Sequence, residues 1–263
     1  MNFKKLLLES INASILGGKA IMEIYETEFE VEFKKDNSPL TIADKKCNDI
    51  IESSLKFTNI PILSEEGKHK SFEERKKWDY LWLIDPLDGT KEFIKKNGQF
   101  TVNIALIKDG SPIIGVVYVP VKKKLYFSLE GIGSFKTNTA HLVDNLEDLI
   151  HNSVSLPIAS NRDSYVIVGS LSHMSKETEI FIEEKKKDHD NIQVMTIGSS
   201  LKLCMVAEGK ADAYPRYAPT MEWDTGAGHA IVKMAGFSVK QYNTDIEVTY
   251  NKENLLNPWF LVE

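Results

Sequence analysis

Apolar residues recur at helical spacing through residues 3–24 (Phe3, Leu7, Ile11, Ile15, Ala20, Ile21, Ile24), which predicts one long amphipathic helix, loosened at Gly17-Gly18. Residues 30–34 alternate as a strand would, and Asp36-Asn37-Ser38-Pro39 reads as a turn. Thr41 and Asp44 then sit three apart at the head of a second helix whose buried stripe is Ala43, Cys47, Ile50, Ile51 and Leu55. Two short apolar runs follow, residues 60–63 and 80–84; Glu65-Glu66 comes after the first and Asp85 after the second. Beyond Gly98 the pattern is that of hairpins: residues 102–107, an Asp109-Gly110 turn, residues 113–119, residues 125–127, and glycines at 131 and 133.

From about Tyr165 the grammar changes to alternating strand and helix. Strands are predicted at 165–168, 192–197 and 211–214, and helices at 176–187, 199–208 and 222–235. The chain thus divides into residues 1–140, helices on a largely antiparallel sheet, and residues 141–263, a smaller α/β unit. The polar stretch 137–152 lies at the boundary, and its Leu142, Val143, Leu146 and Leu149 allow a short helix. The fold class is α/β in the broad α+β sense, with a cleft between the two units.

With 42% hydrophobic and 27% charged residues in 263, the chain has ample core for folding. A formal charge of −6 offers no basic footprint for nucleic acid or anionic lipid. A small anionic substrate remains open, because a bound cation reverses the local field in an acidic pocket. Cys47 and Cys204 have no C-x-x-C spacing and read as buried thiols. The first ten residues are broken by Lys4, Lys5 and Glu9 and lack a signal-peptide core, and no stretch reaches membrane-span length. The expectation is a cytoplasmic protein, with loose association at the inner face of a membrane left open, as is the oligomeric state. Lys122–Lys124 and Lys185–Lys187 are expected to be solvated faces.

The chemistry concentrates in Trp82-Leu-Ile-Asp85-Pro-Leu-Asp88-Gly-Thr90, where a strand delivers Asp85 and a Pro-containing turn places Asp88 three residues on. Two carboxylates on a tight turn suit magnesium, a hard cation that keeps some of its waters. A helix opening at Thr90 would aim free N–H groups at an anion. Taken alone, Asp85-Pro and Asp88-Gly are equally well explained as turn chemistry. Glu65 at another strand end and Asp224, in Met221-Glu-Trp-Asp224-Thr-Gly-Ala-Gly, shift the balance, although Asp224 also fits a plain first-turn acid.

Three stretches, Leu63-Ser-Glu65-Glu66, Ile84-Asp-Pro-Leu-Asp-Gly-Thr-Lys-Glu-Phe93 and Glu222-Trp-Asp-Thr-Gly-Ala-Gly-His229, resemble in order the signature motifs of the inositol monophosphatase superfamily of lithium-sensitive, metal-dependent phosphatases. Asp88-Gly-Thr-Lys-Glu-Phe93, Phe100-Thr-Val-Asn-Ile104 and Gly198-Ser-Ser-Leu-Lys-Leu-Cys-Met-Val-Ala-Glu-Gly209 resemble its 3′(2′),5′-bisphosphate nucleotidases of the CysQ type. The resemblance implies a layered α-β-α-β-α sandwich of the inositol monophosphatase/fructose-1,6-bisphosphatase type. It also implies a substrate, 3′-phosphoadenosine 5′-phosphate from sulfate assimilation, cleaved to AMP and phosphate by a metal-activated water.

By the same resemblance, Glu65, Asp85 and the Leu87 carbonyl hold one Mg²⁺ and Asp85, Asp88 and Asp224 a second, so that two or more ions share the site. Thr90 and Asp44 orient and deprotonate the water, and the Gly89 and Thr90 amides hold the phosphoryl group; Asp44 also reads as the capping partner of Thr41. Ser170 and His173 match a nucleoside-facing loop, in which the family often has Arg where Leu171 stands. Ser199 and Lys202 match the next substrate motif, and Lys202 and Arg216 would meet the retained 5′-phosphate. His229 is expected to be a packed or outer residue. The rival readings are an inositol or sugar monophosphatase on the same scaffold and a non-catalytic phosphonucleotide or metal sensor.

Overall fold

Helix α1 (Phe3–Tyr25) starts at Asn2, whose side chain accepts the Lys5 N–H, and runs unbroken to Tyr25. The loosening expected at Gly17-Gly18 does not occur. A Cβ on Gly17 would lie 2.6 Å from Cys47 Sγ and one on Gly18 2.6 Å from the Tyr118 ring, so the glycines mark close packing and not a break. This computed structural model describes residues 1–28, 31–33, 39–159, 161–169 and 175–263, so the expected turn at 36–38 lies outside the described residues. Flanking it, β1 (Val31–Phe33) pairs antiparallel with β2 (Pro39–Thr41).

Helix α2 (Ile42–Leu55) opens with the anticipated capping pair, Asp44 accepting the Thr41 N–H. Its buried face holds Ala43, Cys47, Ile51 and Leu55 as expected, but Ile50 is only half-buried, and Asp44 and Asn48 are buried instead. The two buried polar residues face polar partners: Asp44 accepts from Thr41 and Thr90, and Asn48 Oδ1 accepts from Ser64 Oγ at 2.6 Å.

The main sheet comprises β3 (Ile62–Ser64), β4 (Tyr80–Asp88), β5 (Thr101–Lys108), β6 (Ser111–Val119), β7 (Lys124–Leu129), β8 (Gly133–Asn138) and β9 (Val154–Ser155) in that order. Short helices interrupt it: α3 (Phe72–Arg75), α4 (Thr90–Ile94) and α5 (Leu146–His151). β3 runs parallel to β4, and every later pair is antiparallel. Successive residues serve opposite faces. Trp82, Ile84, Ile104 and Val116 pack beneath α1 and α2, while Leu81, Leu83, Ala105 and Val117 face the other way. Coverage on both faces explains why β4 reads as a continuous apolar run.

The second half begins with β10 (Tyr165–Gly169), then α6 (Lys176–Lys185) and β11 (Ile192–Thr196), which returns parallel to β10. Helix α7 (Leu201–Ala207) follows, then β12 (Tyr214–Arg216), helix α8 (Glu222–Met234), β13 (Val239–Gln241) and β14 (Phe260–Val262). The strand expected at 211–214 forms instead at Tyr214–Arg216; Ala213 makes only an isolated bridge to Ile167, which joins β10 to the β12-β14-β13 sheet. Helices α7 and α8 are sandwiched between the two sheets, and Phe181 of α6 covers the far face with Ile167, Ala213 and Tyr217. The layers are therefore α1/α2, main sheet, α7/α8, second sheet and α6. Gly115 of β6 lets α8 sit close: a Cβ there would be 2.7 Å from the Ala230 Cβ.

Candidate active site

Because β3 and β4 are parallel with Ser64 opposite Ile84, the residues that follow them leave the sheet at the same end, and the Glu65 N–H donates to Ile84 O at 3.1 Å. Helix α8 meets this end from the sheet's second face. Its start is fixed by buried Glu222, which accepts from the Asn251 N–H (2.6 Å), the Lys252 N–H (3.0 Å) and Lys252 Nζ (2.6 Å). Asp224 in that first turn accepts the Met221 N–H at 2.8 Å. One carboxylate oxygen from each of Glu65, Asp85 and Asp224 lies within 4.8 Å of the others.

Such crowding is unfavourable without a counter-charge. Burial first, then the charges of Glu65, Asp88, Asp224 and Asp44, holds the Asp85 carboxyl well above the usual carboxylate range. Burial and then Asp88 push Asp224 up to about 8. The donor set is oxygen only, with no thiolate or imidazole in it, and this fits a hard divalent cation. Asp85 Oδ1 also accepts the Leu87 N–H at 3.0 Å, an Asx turn that fixes the Asp85-Pro86-Leu87 corner.

Asp88 stands outside the three-acid set. A register shift between Asp85 and Asp88 in the pairing with β5 turns it toward α7. Its Oδ2 accepts from the Ser200 N–H (2.6 Å), Asn103 Nδ2 (3.3 Å) and Thr101 Oγ1 (3.5 Å). Ser200 Oγ in turn accepts from Asn103 Nδ2 (2.9 Å) and donates to Asp224 O (2.7 Å). The sequence reading gave Thr101, Asn103 and Ser200 no role. A signal was present for two of them, since Thr101 and Asn103 are polar at alternate positions of an otherwise apolar strand and so share its site-facing side.

Asp44 and Thr90 are in contact. Asp44 Oδ2 accepts from the Thr41 N–H (2.8 Å) and Oγ1 (2.6 Å), leaving Oδ1 for the Thr90 hydroxyl at 3.2 Å. The Thr90 hydroxyl also lies 3.3 Å from Leu87 O. Burial raises the Asp44 pKa against the lowering effect of Thr41. Gly89, at the start of α4, has φ 94°, a conformation open to glycine.

Beside these acids lies a cleft of about 550 Å³ whose walls include Asp88, Lys91, Ser199, Lys202, Tyr214 and Arg216. Lys202 is buried and is not an exposed helix lysine. Its Nζ donates to Ser199 O (2.7 Å) and Ile197 O (3.3 Å), and burial lowers its pKa to about 8. Ser199 Oγ and Arg216 Nε are buried without a hydrogen-bond partner among the described residues, and both residues line the cleft. Ser170, Leu171 and His173 lie outside the described residues. His229 is packed as expected, its ring nitrogens bonded to Tyr250 OH (2.9 Å) and Glu247 Oε2 (3.3 Å). Cys47 and Cys204 are buried free thiols.

Comparison with known proteins places the chain among relatives. Residues 4–258 match the model of the inositol monophosphatase family. A 3′(2′),5′-bisphosphate nucleotidase CysQ of Salmonella typhimurium is 41% identical over 249 residues, 93% of this chain and 94% of the relative. The crystal structure of CysQ from Bacteroides thetaiotaomicron superposes with TM-score 0.92 at 50% identity, covering 100% of this chain and 98% of that one. An inositol monophosphatase of Thermotoga maritima superposes with TM-score 0.71 at 25% identity, covering 97% of this chain and 90% of that one.

Proposed function

The chain belongs to the inositol monophosphatase family, and from that premise we infer that it is a metal-dependent 3′(2′),5′-bisphosphate nucleotidase that hydrolyses the 3′-phosphate of 3′-phosphoadenosine 5′-phosphate to AMP and phosphate. The observation that carries the reading is the convergence of Glu65, Asp85 and Asp224 beside a cleft with cationic and unpartnered donors.

We assign the metal as Mg²⁺, two or more per site, held by Glu65, Asp85, the Leu87 carbonyl, Asp88 and Asp224. Bound there, it would acidify water and stabilise the leaving ester oxygen. The chain's own groups supply the proton path. Thr90 Oγ1 takes a proton from the attacking water and passes its own to Asp44 Oδ1, whose carboxyl burial has made more basic. The water oxygen bonds to phosphorus as the bond to the 3′-oxygen breaks, and that oxygen takes a proton from solvent to leave as the 3′-hydroxyl of AMP. Amides of Gly89 and Thr90 orient the phosphoryl group, and Ser199, Lys202 and Arg216 take the 5′-phosphate that stays on the product. Ser170 and His173 belong to the same proposal on the nucleoside side.

The proposed division at 140/141 separates the two sets of site residues and not the sheets, since β9 still pairs with β8. Residues 1–140 supply most metal carboxylates, and residues 141–263 supply Asp224 and the cations. No helix among the described residues is long and apolar enough to cross a membrane. A cytoplasmic location, lithium sensitivity and a place in sulfur metabolism complete the proposal.

The test is phosphate release by purified protein with Mg²⁺ from the nucleoside bisphosphate, compared with inositol monophosphate and a sugar phosphate. Preference for a monophosphate would transfer the assignment to an inositol or sugar phosphatase. Full activity in Asp85→Ala would discard the metal site.

A further inference from the structure

We propose that Ser200 and Asn103 are positioning residues that set the metal carboxylates Asp88 and Asp224 as a pair. The inference deepens the function proposed above and rests on it. The two acids come from different layers, Asp88 from the main sheet and Asp224 from the first turn of α8. Nothing in β4 or α8 alone fixes their separation. Ser200, at the start of α7, touches both: its N–H donates to Asp88 Oδ2 at 2.6 Å and its hydroxyl to the Asp224 carbonyl at 2.7 Å.

Asn103 completes the triangle from β5. Its Nδ2 donates to Asp88 Oδ2 and to Ser200 Oγ, spending both protons. Asn103 is 1% exposed and Ser200 2%, so these bonds have no water to compete with them. With Oδ2 engaged by side-chain and main-chain donors, Asp88 offers its other oxygen to a cation.

The same turn belongs to the substrate cleft, because Lys202 Nζ holds the carbonyls of Ile197 and Ser199 just before Ser200. Ser200 is therefore the joint at which the wall of the cleft and the carboxylates share one hydrogen-bond chain. Loss of its hydroxyl leaves the fold's apolar layers untouched while freeing the start of α8 from Asn103.

The test is calorimetric titration of the full chain with Mn²⁺ and with Mg²⁺, before any assay of turnover. In Ser200→Ala the dissociation constant rises by about 10–100-fold, the usual cost of losing an outer partner of a metal ligand. The effect of Asn103→Ala is similar, and the double variant loses less than the sum of the two. At saturating metal the KM for the bisphosphate stays near the unmodified value, and raising Mg²⁺ recovers part of kcat. Ser128→Ala, a buried hydroxyl of the same sheet outside this network, leaves metal affinity unchanged. Unmodified metal affinity in a folded Ser200→Ala overturns the proposal, whatever happens to its melting temperature. If that variant does not fold, unmodified affinity in Asn103→Ala overturns it equally. A parent protein that binds neither ion overturns the metal reading itself, a result distinct from either.

Discussion

The Thr90 hydroxyl lies 3.2 Å from Asp44 Oδ1, while the other oxygen of Asp44 is held by the Thr41 N–H and hydroxyl. One residue thus caps a helix with one oxygen and meets Thr90 with the other. Asp44→Asn keeps the size of the side chain but removes the proton acceptor. The expected loss in kcat is about 10²–10⁴-fold, the range for a general base, with metal affinity retained. Thr90→Ser should keep most of the activity and Thr90→Val little of it. Equal kcat in Asp44→Asn and the parent would reduce Asp44 to a helix cap.

The metal-free fold should weaken as pH rises. Asp85 and Asp224 are held above the ordinary carboxylate range, Asp224 at about 8, so the folded chain keeps protons that the unfolded chain has already released. Where the folded state binds more protons, stability falls with increasing pH, here from the ordinary value of about 4 up to about 8. Thermal melts in chelator should show a lower Tm at pH 8 than at pH 6. Mg²⁺ should close the gap, by about 2.7 kcal/mol at a hundredfold excess over its Kd. A Tm in chelator that does not fall between pH 6 and pH 8 would argue against the crowded-acid account.

Lys202 provides a test of substrate class. Its pKa of about 8 means that its charge is present below that pH and is lost above it. The KM for a bisphosphorylated nucleoside should therefore rise as pH passes 8. Lys202→Met should raise that KM by about tenfold or more, the worth of a charged hydrogen bond, and leave the KM for a monophosphate lacking the second group nearly unchanged. Equal effects on both substrates would point to loss of the 197–199 turn.

Gly115 tests how closely α8 is seated. With a Cβ 2.7 Å from that of Ala230, Gly115→Ala should cost about 1–3 kcal/mol by overpacking. The change would appear as a lower urea midpoint at an unchanged slope. Because α8 carries Asp224, kcat should fall with it.

The sequence disclosed the parts of this molecule whose chemistry is local. Asp85-Pro-Leu-Asp88 reads as an acidic corner because Pro and Asp make turns wherever they stand, and the apolar runs around it announce strands covered on both faces. Asp44 was legible through its spacing from Thr41. Gly17-Gly18 was misread because intrinsic propensity penalises glycine in a helix, whereas here the approach of Cys47 and Tyr118, distant in sequence, requires it. The Asn103-Ser200 link was missed for the same reason: Asn103 stands out as a polar position in an apolar strand, but its partner is 97 residues away and no spacing pairs the two. The β12 boundary shifted because Ala213 is recruited to bridge Ile167, a tertiary choice that no periodicity encodes.

One short strand carries more than its size suggests. Residues 62–64 lie alongside β4 in the same direction, the one parallel pairing in a seven-stranded sheet that is otherwise antiparallel. Reversing the polarity of those three residues would bury the same side chains and satisfy a comparable ladder, yet Glu65 would exit at the far edge of the molecule from Asp85. The capacity for chemistry is thus decided by an orientation to which burial is indifferent, and a chain could keep this fold's stability while losing its reaction through that single inversion.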